Sequence, residues 1–267
     1  MKEAIEIAGK GDYHLIWKLP NIAHRQTSES IIKIMGILNK MDLHIDVMSS
    51  LIGFDDSLKD RFRLKTYGNY PLNVFNIEAV KDLDKYEILS ISPELYGKDM
   101  ENLLEDYSKI GKIEECHLPE LEILVQGNIE SMTSRKEIIS KKQLRIIEKY
   151  NKKQLKKGGG NKHSANEYYL KNKKDQYYPI KRDLNEENII ILNSEEFSLI
   201  NEIEYLKDIG FENFSIDARW KEMDYIKEIG MIYRKSIDEG LDMEISKEII
   251  GKYCDKTSDG NFNTGLK

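Results

Sequence analysis

The sequence predicts an α/β fold in which short parallel strands alternate with helices. Three observations predict it: short apolar runs precede longer stretches with helical spacing, this unit repeats along most of the chain, and one apolar run ends in a charged pair. The 267 residues are 40% hydrophobic and 33% charged, which is typical of one large or two small globular domains. Repeated strand–helix units imply right-handed crossovers, so the candidates are a doubly wound sheet or a (β/α) barrel.

The predicted strands are short and mostly apolar. They cover residues 13–17, 44–48, 71–76, 87–91, 121–125 and 213–217. Two more runs, Tyr177–Arg182 and Asn188–Leu192, flank a polar turn and indicate a hairpin or a re-entry into the sheet. About six or seven parallel strands result, fewer than the eight of a closed barrel.

Helices are predicted where apolar residues recur at helical spacing, as they do in Ser28–Lys40. The other predicted helices cover residues 98–110, 194–209, 221–239 and 244–253, and a short one opens near Asp55. Residues 128–176 interrupt this rhythm and are expected to form a polar insertion, mostly helix or loop. The polar residues 255–267 are expected to form a loose tail.

The most informative segment is Ser215–Lys221. Asp217 and Arg219 are two residues apart, so on a strand they point to the same side. An acid and a guanidinium at a strand end, before a helix, indicate a polar site on an α/β scaffold. A structural ion pair that closes the strand end is an equally good interpretation. Polar residues end other predicted strands as well, namely Asn73, Asn76, Ser92, Glu94, Gln126, Asp183 and Asn193.

Charge and hydropathy exclude several classes of protein. The net charge of −6 argues against a broad nucleic-acid-binding face. Lysines bracket Gly158–Gly160; this segment is interpreted as a solvated loop, and an RNA- or phosphate-contacting loop is the less favoured alternative. The sequence has neither an apolar run that could span a membrane nor an apolar signal core, so we expect no membrane contact and a cytoplasmic location.

Metal-binding patterns are missing from the sequence. Cys116 and Cys254 are far apart and form neither a CxxC pair nor a zinc spacing. The five histidines form no HxxxH or HExxH pattern. We therefore expect no metal site.

Several blocks, taken together, resemble the collagenase-like peptidase family U-32, whose catalytic type is unknown. Leu72–Asn76 resembles its LNVFN strand, and Ser92–Leu95 resembles its SPEL turn. Glu122–Gly127 resembles its EVFVHG strand, with Gln126 where histidine is usual.

The later blocks follow in the order of the family. Ser215–Lys221, with Tyr225 and the pair Tyr233-Arg234, resembles the segment KIEGRMKS…Y…YR. Gly260–Gly265 is faintly similar to a terminal GHFYRG motif. The order and approximate spacing of the blocks match over most of the chain.

The resemblance implies a (β/α) TIM-type barrel over residues 1–267, taken as a single domain with the polar insertion. The opening strands of the family barrel are missing here, so an incomplete or open barrel is expected. Open barrels expose strand edges, which proteins normally cover. A homo-oligomer or hetero-oligomer would cover this edge.

The resemblance also implies activities. Some family members are peptidases that act on collagen-like substrates, so a peptide or small-molecule substrate is expected. Others modify RNA or quinone precursors by oxygen-independent hydroxylation with an iron–sulfur cluster on four cysteines. Here Glu130 and Glu137 stand where family cysteines would fall, and two cysteines cannot supply four thiolates. We therefore expect no 4Fe-4S cluster. Three hypotheses follow: a peptidase, a family member that modifies RNA or a quinone precursor, and a catalytically inactive subunit that binds a fuller homologue.

Candidate roles follow for the polar residues. The catalytic candidates are Glu94, a general base if buried, and the pair Asp217 and Arg219, whose guanidinium could bind a carboxylate or an oxyanion. The candidate substrate-binding residues are Asn73, Asn76, Gln126 and Arg135. Each has a structural alternative: Glu94 as an acid at a helix N-terminus, the asparagines as turn or cap residues, and Gln126 as a strand-end cap.

Overall fold

Parallel strands separated by helices form most of the computed structural model, which describes residues 1–11, 13–113, 117–134, 168–183, 188–240, 243–254 and 256–265. The chain divides into two compact units, one of residues 1–127 with 197–267 and the other of residues 128–196. Arg135, Glu137, Cys116 and Gly158–Gly160 lie outside the described residues.

Six parallel strands form the sheet of the first unit: β1 (Ile16–Lys18), β2 (Asp46–Ser49), β3 (Thr66–Gly68), β4 (Ile88–Ser90), β5 (Glu120–Gly127) and β11 (Asn213–Asp217). They pair in the order β1-β2-β3-β4-β5-β11. Two further strands, β10 (Glu196–Ser198) and β12 (Thr257–Ser258), extend the sheet, and β10 pairs antiparallel with the end of β5.

The helices of this unit are α1 (Lys2–Ala8), α2 (Arg25–Lys40), α3 (Phe54–Phe62), α4 (Ile77–Asp82), α5 (Gly97–Ile113), α6 (Ile203–Asp208), α7 (Met223–Glu239) and α8 (Met243–Tyr253). Short 3-10 helices cover Tyr70–Leu72 and Ile200–Glu202. No helix among the described residues is long and apolar enough to cross a membrane.

One face of the sheet packs on helices and holds the core. Ile31, Met35 and Leu38 recur at helical spacing on α2, and they pack with Val47 of β2. Side chains alternate along a strand, so the neighbours of Val47 in sequence point to the other face. The register places Lys18 beside Met48, and Met48 beside Tyr67, on that second face.

The sheet is curled. In a flat sheet, the five steps from β1 to β11 would separate these strands by about 24 Å. Yet Lys18 of β1 and Asp217 of β11 form an ion pair of 3.5 Å, which only a curled sheet allows. β1 and β11 do not pair with each other in the described part of the sheet. The fold is thus mixed α/β with a curled, half-barrel sheet, compatible with an open TIM-like barrel.

The second unit contains a four-stranded antiparallel sheet. Its strands are β6 (Glu130–Ser134), β7 (Tyr168–Lys171), β8 (Tyr177–Asp183) and β9 (Asn188–Leu192), in the order β6-β9-β8-β7. The predicted hairpin of Tyr177–Arg182 and Asn188–Leu192 is confirmed, because β8 and β9 pair antiparallel. Its core consists of alternating apolar residues, among them Ile180, Ile189 and Ile191.

The structure differs from the local predictions at four places. The described ends of the polar stretch 128–176, which was expected to be mostly helix or loop, are strands that pair with β9 and β8. The residues between these ends lie outside the described residues, so the expectation for the stretch as a whole stays a prediction. The predicted strand 71–76 contains part of a 3-10 helix and a single bridge between Val74 and Ile91, while β3 was missed. The predicted helix 194–209 is divided into β10, a 3-10 helix and α6.

The fourth difference concerns the tail, which was expected to be loose. Phe262 is 4% exposed, packs edge-on against Tyr205 with ring centroids 5.9 Å apart, and accepts a hydrogen bond at its backbone oxygen from Gly97. Burying a phenylalanine side chain contributes roughly 1.5–3 kcal/mol. The tail therefore packs against the start of α5. Its composition, polar residues around one aromatic residue, did not predict this contact.

Candidate functional site

Asp217 and Arg219 form a forked ion pair at the carboxyl end of β11. The Nε atom of Arg219 donates to Oδ1 of Asp217 at 2.9 Å, and Nη2 donates to Oδ2 at 2.5 Å. The backbone N–H of Arg219 also donates to Oδ1, at 3.2 Å. Asp217 thus closes the turn after the strand, as aspartate side chains often do two residues on, and orients the guanidinium at the same time.

Lys18 joins this pair from the opposite edge of the sheet. Its Nζ lies 3.5 Å from Oδ2 of Asp217, and the side chain of Asp217 is only 6% exposed. Burial alone raises the pKa of Asp217, but the hydrogen bonds from Arg219 and the charges of Lys18 and Arg219 outweigh it. The pKa of Asp217 therefore lies below its usual range, and the carboxylate is ionised at neutral pH.

Aromatic rings flank both cations. The ammonium of Lys18 lies 5.4 Å from the centroid of the Tyr70 ring, and the guanidinium of Arg219 lies 4.9 Å from that of Trp220. Trp220 has a positive φ of 60°, a conformation that is uncommon for a bulky residue. Its side chain is 44% exposed, so it lies beside the ion cluster as an accessible flat surface.

The structure gives other predicted site residues local roles. Gln126 is buried, and its Oε1 and the backbone oxygen of Val125 lie 2.9 Å and 2.7 Å from the hydroxyl of Tyr233, which donates its single proton to one of them at a time. Asn76 caps α4 by accepting from the N–H of Ala79 at 3.0 Å. Asn73 has a positive φ of 54° and ends the 3-10 helix. For Asn73 and Asn76, the interpretation as turn and cap residues describes what they do in the fold; Gln126 lies within β5 and contacts Tyr233.

Glu94 is exposed, in the turn between β4 and α5. Its backbone N–H donates to Oγ of Ser92 at 3.3 Å, and its backbone oxygen accepts from Asn261 at 3.4 Å. It borders a surface hollow that Phe75, Leu95, Tyr96, Asp99 and Gly265 also line. The burial on which its role as a general base depended is missing, and none of these contacts is with Asp217 or Arg219.

Sequence reasoning missed Lys18, although a signal was present. The predicted strand 13–17 ends directly before Lys18, so a charged residue at a strand end could have been noted by the rule that selected Asp217. The contact of Lys18 with Asp217 could not be predicted, because that contact depends on the curl of the sheet. Tyr70 was assigned to no site either, because its contact with Lys18 is likewise not marked by spacing along the chain.

The residues present do not fit an iron–sulfur cluster. Such a cluster needs about four thiolates, and the whole sequence has two cysteines. Cys254 is partly buried and forms no disulfide among the described residues. Among the described residues no group of three or more histidine, cysteine, aspartate or glutamate side chains could hold a metal ion.

Two solved structures are distantly similar to this chain. The spore cortex-lytic enzyme SleL of Bacillus megaterium QM B1551 is 11% identical over 82% of this chain and 58% of that one, with a TM-score of 0.36. A chitinase from Chromobacterium violaceum ATCC 12472 is 9% identical over 89% of this chain and 83% of that one, with a TM-score of 0.34. The chain thus spans less than two thirds of SleL, and likenesses this weak carry no argument about the site.

Sequence comparison identifies the family. No curated protein matches the sequence. The sequence model of Peptidase family U32 matches residues 74–266, nearly three quarters of the chain, and this range includes both Asp217 and Arg219. The chain therefore belongs to Peptidase family U32.

Proposed function

We propose that this chain is a collagenase-like peptidase whose site lies at the carboxyl ends of β1 and β11. One observation carries the proposal: the buried carboxylate of Asp217 is held between Lys18 and Arg219 at the end of a parallel strand. In (β/α) proteins that end of the sheet is where functional groups collect. Membership of the U32 family supports peptides as the substrate class.

The proposed chemistry assigns the two cations to charge stabilisation. A peptide carbonyl that is attacked by water develops negative charge on oxygen, which fixed positive groups stabilise. Lys18 and Arg219 are about a third exposed, 28% and 33%, so a substrate can approach both. Asp217 holds them in place and is too acidic to take up a proton near neutral pH, because its pKa is lowered. These three residues supply no general base; Glu94, which is exposed and makes none of its contacts with them, is tested separately by Glu94→Gln.

Cleavage of gelatin and of a fluorogenic peptide by the purified chain tests the proposal. Activity is expected in the wild type and a loss of about a hundredfold or more in Arg219→Ala, as for removal of an oxyanion-stabilising donor. Arg61→Ala, at an exposed position of α3, serves as the control and is expected to keep full activity. Full activity in Arg219→Ala would place the site elsewhere, and full activity in Glu94→Gln would remove Glu94 from it.

A second candidate is a catalytically inactive subunit that binds a fuller homologue. The contacts of Asp217 favour this candidate. Its carboxylate closes a turn and pairs with two cations, and its lowered pKa makes it a poor proton acceptor. A folded wild-type chain that cleaves neither substrate between pH 5 and 9 would support this candidate over the peptidase. Hydroxylation with an iron–sulfur cluster is not proposed, since the cysteines do not fit it.

A further inference from the structure

Lys18 contributes to the site from a part of the chain that the family model does not match. It is the last residue of β1, and the matched range begins at residue 74. The register with Met48 places its side chain on the sheet face opposite the helices, and its Nζ reaches Oδ2 of Asp217 at 3.5 Å. The site therefore combines Lys18, which lies before the matched range, with Asp217 and Arg219, which lie inside it.

A partly buried network orders the backbone at Tyr70, whose ring contacts Lys18. The ammonium lies 5.4 Å from the centroid of the Tyr70 ring, a cation–π distance. The backbone N–H of Tyr70 donates to Oδ1 of Asn69 at 3.0 Å, and Nδ2 of Asn69 donates to Oδ1 of Asn21 at 2.9 Å. Because Asn21 follows β1 and Asn69 follows β3, the network joins the loops at the carboxyl ends of these strands.

Arg219 and Lys18 act on Asp217 in different ways. Arg219 is two residues further along the same turn, so its pair with Asp217 is local to that turn. Lys18 belongs to another strand, at the far edge of the hydrogen-bonded order, and its pair with Asp217 spans the gap between β1 and β11. The lysine ties the turn to the first strand, whereas the pairing of Asp217 with Gly127 ties it to β5.

We propose that Lys18, besides the charge stabilisation assigned to it above, positions this site: it holds the carboxylate of Asp217, and with it the Arg219 turn, against the first strand of the sheet. A role of Lys18 in turnover rests on the proposed function. Its effect on Asp217 does not, and can be measured without any substrate. The charged groups that act on Asp217 in the described structure are Lys18 of β1 and Arg219 of its own turn.

The experiment follows the titration of Asp217 by carbon-13 NMR of the side-chain carboxyl in the full chain. In Lys18→Met the pKa of Asp217 is expected to shift upward, because a nearby positive charge is lost. Lys18→Arg keeps that charge and is expected to restore most of the wild-type titration. Lys33→Met, at an exposed position of α2, is the matched control and should leave it unchanged. An unchanged titration of Asp217 in folded Lys18→Met would overturn the proposal.

A second measurement covers the case in which Lys18→Met does not fold. In the wild type, the nitrogen-15 resonance of the Lys18 ammonium, assigned by its loss in Lys18→Arg, is expected to move at the pH where Asp217 titrates. If this resonance does not respond to that titration, the lysine does not hold the carboxylate and the proposal is wrong. Neither outcome depends on peptidase activity, so failure of the proposed function and failure of this inference are distinguishable.

Discussion

Gly127, the last residue of β5, lies directly against Asp217, the last residue of β11. The two residues are paired in the parallel register. A Cβ atom on Gly127 would come within 2.6 Å of the backbone oxygen of Asp217 and within 2.8 Å of its Cβ. Gly127 also has a positive φ of 141°. The absence of a side chain at the end of β5 is therefore what allows β11 to bring its carboxylate to the site.

Replacing Gly127 with alanine is expected to destabilise the protein. The positive φ alone costs on the order of 1–3 kcal/mol for a residue with a Cβ, and the contact with Asp217 adds to it. The free energy of unfolding, measured by urea denaturation, should fall by at least that amount. Gly36→Ala is the control: it lies inside α2 with no atom within 4 Å of an added Cβ, and should stabilise the protein by about 0.5–1 kcal/mol. Equal urea midpoints for Gly127→Ala and wild type would contradict the close approach.

The Asp217 carboxylate should make stability depend on pH in the acid range. Burial opposes its ionisation, but Arg219 and Lys18 outweigh burial and hold its pKa below the ordinary value of 3.8. The unfolded chain then binds the proton first, so this stabilisation is fully present above about pH 4 and is lost as pH falls through the folded-state pKa.

The measurement compares wild type with Asp217→Asn by urea denaturation at pH 7 and pH 3. At pH 7 the substitution is expected to cost about 1.5–3 kcal/mol, the range for hydrogen bonds to charged groups, and less at pH 3. Asp60→Asn, at an exposed position of α3, provides the control and should change little at either pH. A difference between wild type and Asp217→Asn that is as large at pH 3 as at pH 7 would show that the carboxylate is not the cause.

The Asp217–Arg219 pair could be predicted from the sequence because its signal is local. Alternation before Asp217 marks a strand, and a charged pair two residues apart marks its end. The repeated strand–helix units likewise predicted the parallel sheet. The partner Lys18 could not be predicted, because its contact with Asp217 depends on how far the sheet curls over six strands. Spacing along the chain does not encode that curl.

The missed strand β3 shows a second limit. Thr66–Gly68 has three residues, all of them buried, so no alternation of polar and apolar positions marks it. The following segment has more apolar character and was predicted as the strand instead. In that segment Pro71 belongs to the 3-10 helix Tyr70–Leu72, and Asn73 adopts a left-handed backbone conformation. The strand pairing of the segment is therefore reduced to the single bridge between Val74 and Ile91. Tertiary pairing decided this outcome over local propensity.

The hydroxyl of Tyr86 is expected to stabilise the fold through the fully buried Asp55. Tyr86 donates a hydrogen bond to Oδ2 of Asp55, and Lys85 donates to Oδ1 at 3.2 Å. Tyr86→Phe should lower the free energy of unfolding by about 1.5–3 kcal/mol at pH 7. Tyr13→Phe, at a position that is 77% exposed, should change it little. A cost for Tyr86→Phe no larger than that of Tyr13→Phe would mean that the hydrogen bond contributes nothing net.

The same tyrosine predicts a loss of stability in alkaline solution. Burial, and then the hydrogen bond to Asp55, raise the pKa of Tyr86. The unfolded chain therefore releases this proton first, near pH 10, so the contribution of Tyr86 is complete below that pH and declines as pH rises above it. Thermal melts of wild type and Tyr86→Phe between pH 8 and 11 should converge as pH rises. A constant difference in melting temperature would contradict the assignment.

Gln126 and Tyr233 are expected to be energetically coupled. Both are buried, and the Tyr233 hydroxyl lies between Oε1 of Gln126 at 2.9 Å and the backbone oxygen of Val125 at 2.7 Å. Tyr233→Phe should cost about 1–3 kcal/mol, because Oε1 of Gln126 and the backbone oxygen of Val125 both lose the hydroxyl, and Gln126→Leu should cost about 0.5–1.5 kcal/mol, because the hydroxyl keeps Val125 as its acceptor. The double variant removes both partners, so it should cost less than the sum by about 0.5–3 kcal/mol.

Urea denaturation of the two single variants and the double variant gives this coupling energy. The control cycle combines Gln126→Leu with Tyr86→Phe, whose hydroxyl contacts Asp55 instead; these two costs should add within about 0.5 kcal/mol. Strict additivity in the Gln126–Tyr233 cycle would mean that Gln126 does not depend on α7 for its position. Measured coupling would instead establish it as the residue that ties β5 to α7, behind the site rather than in it.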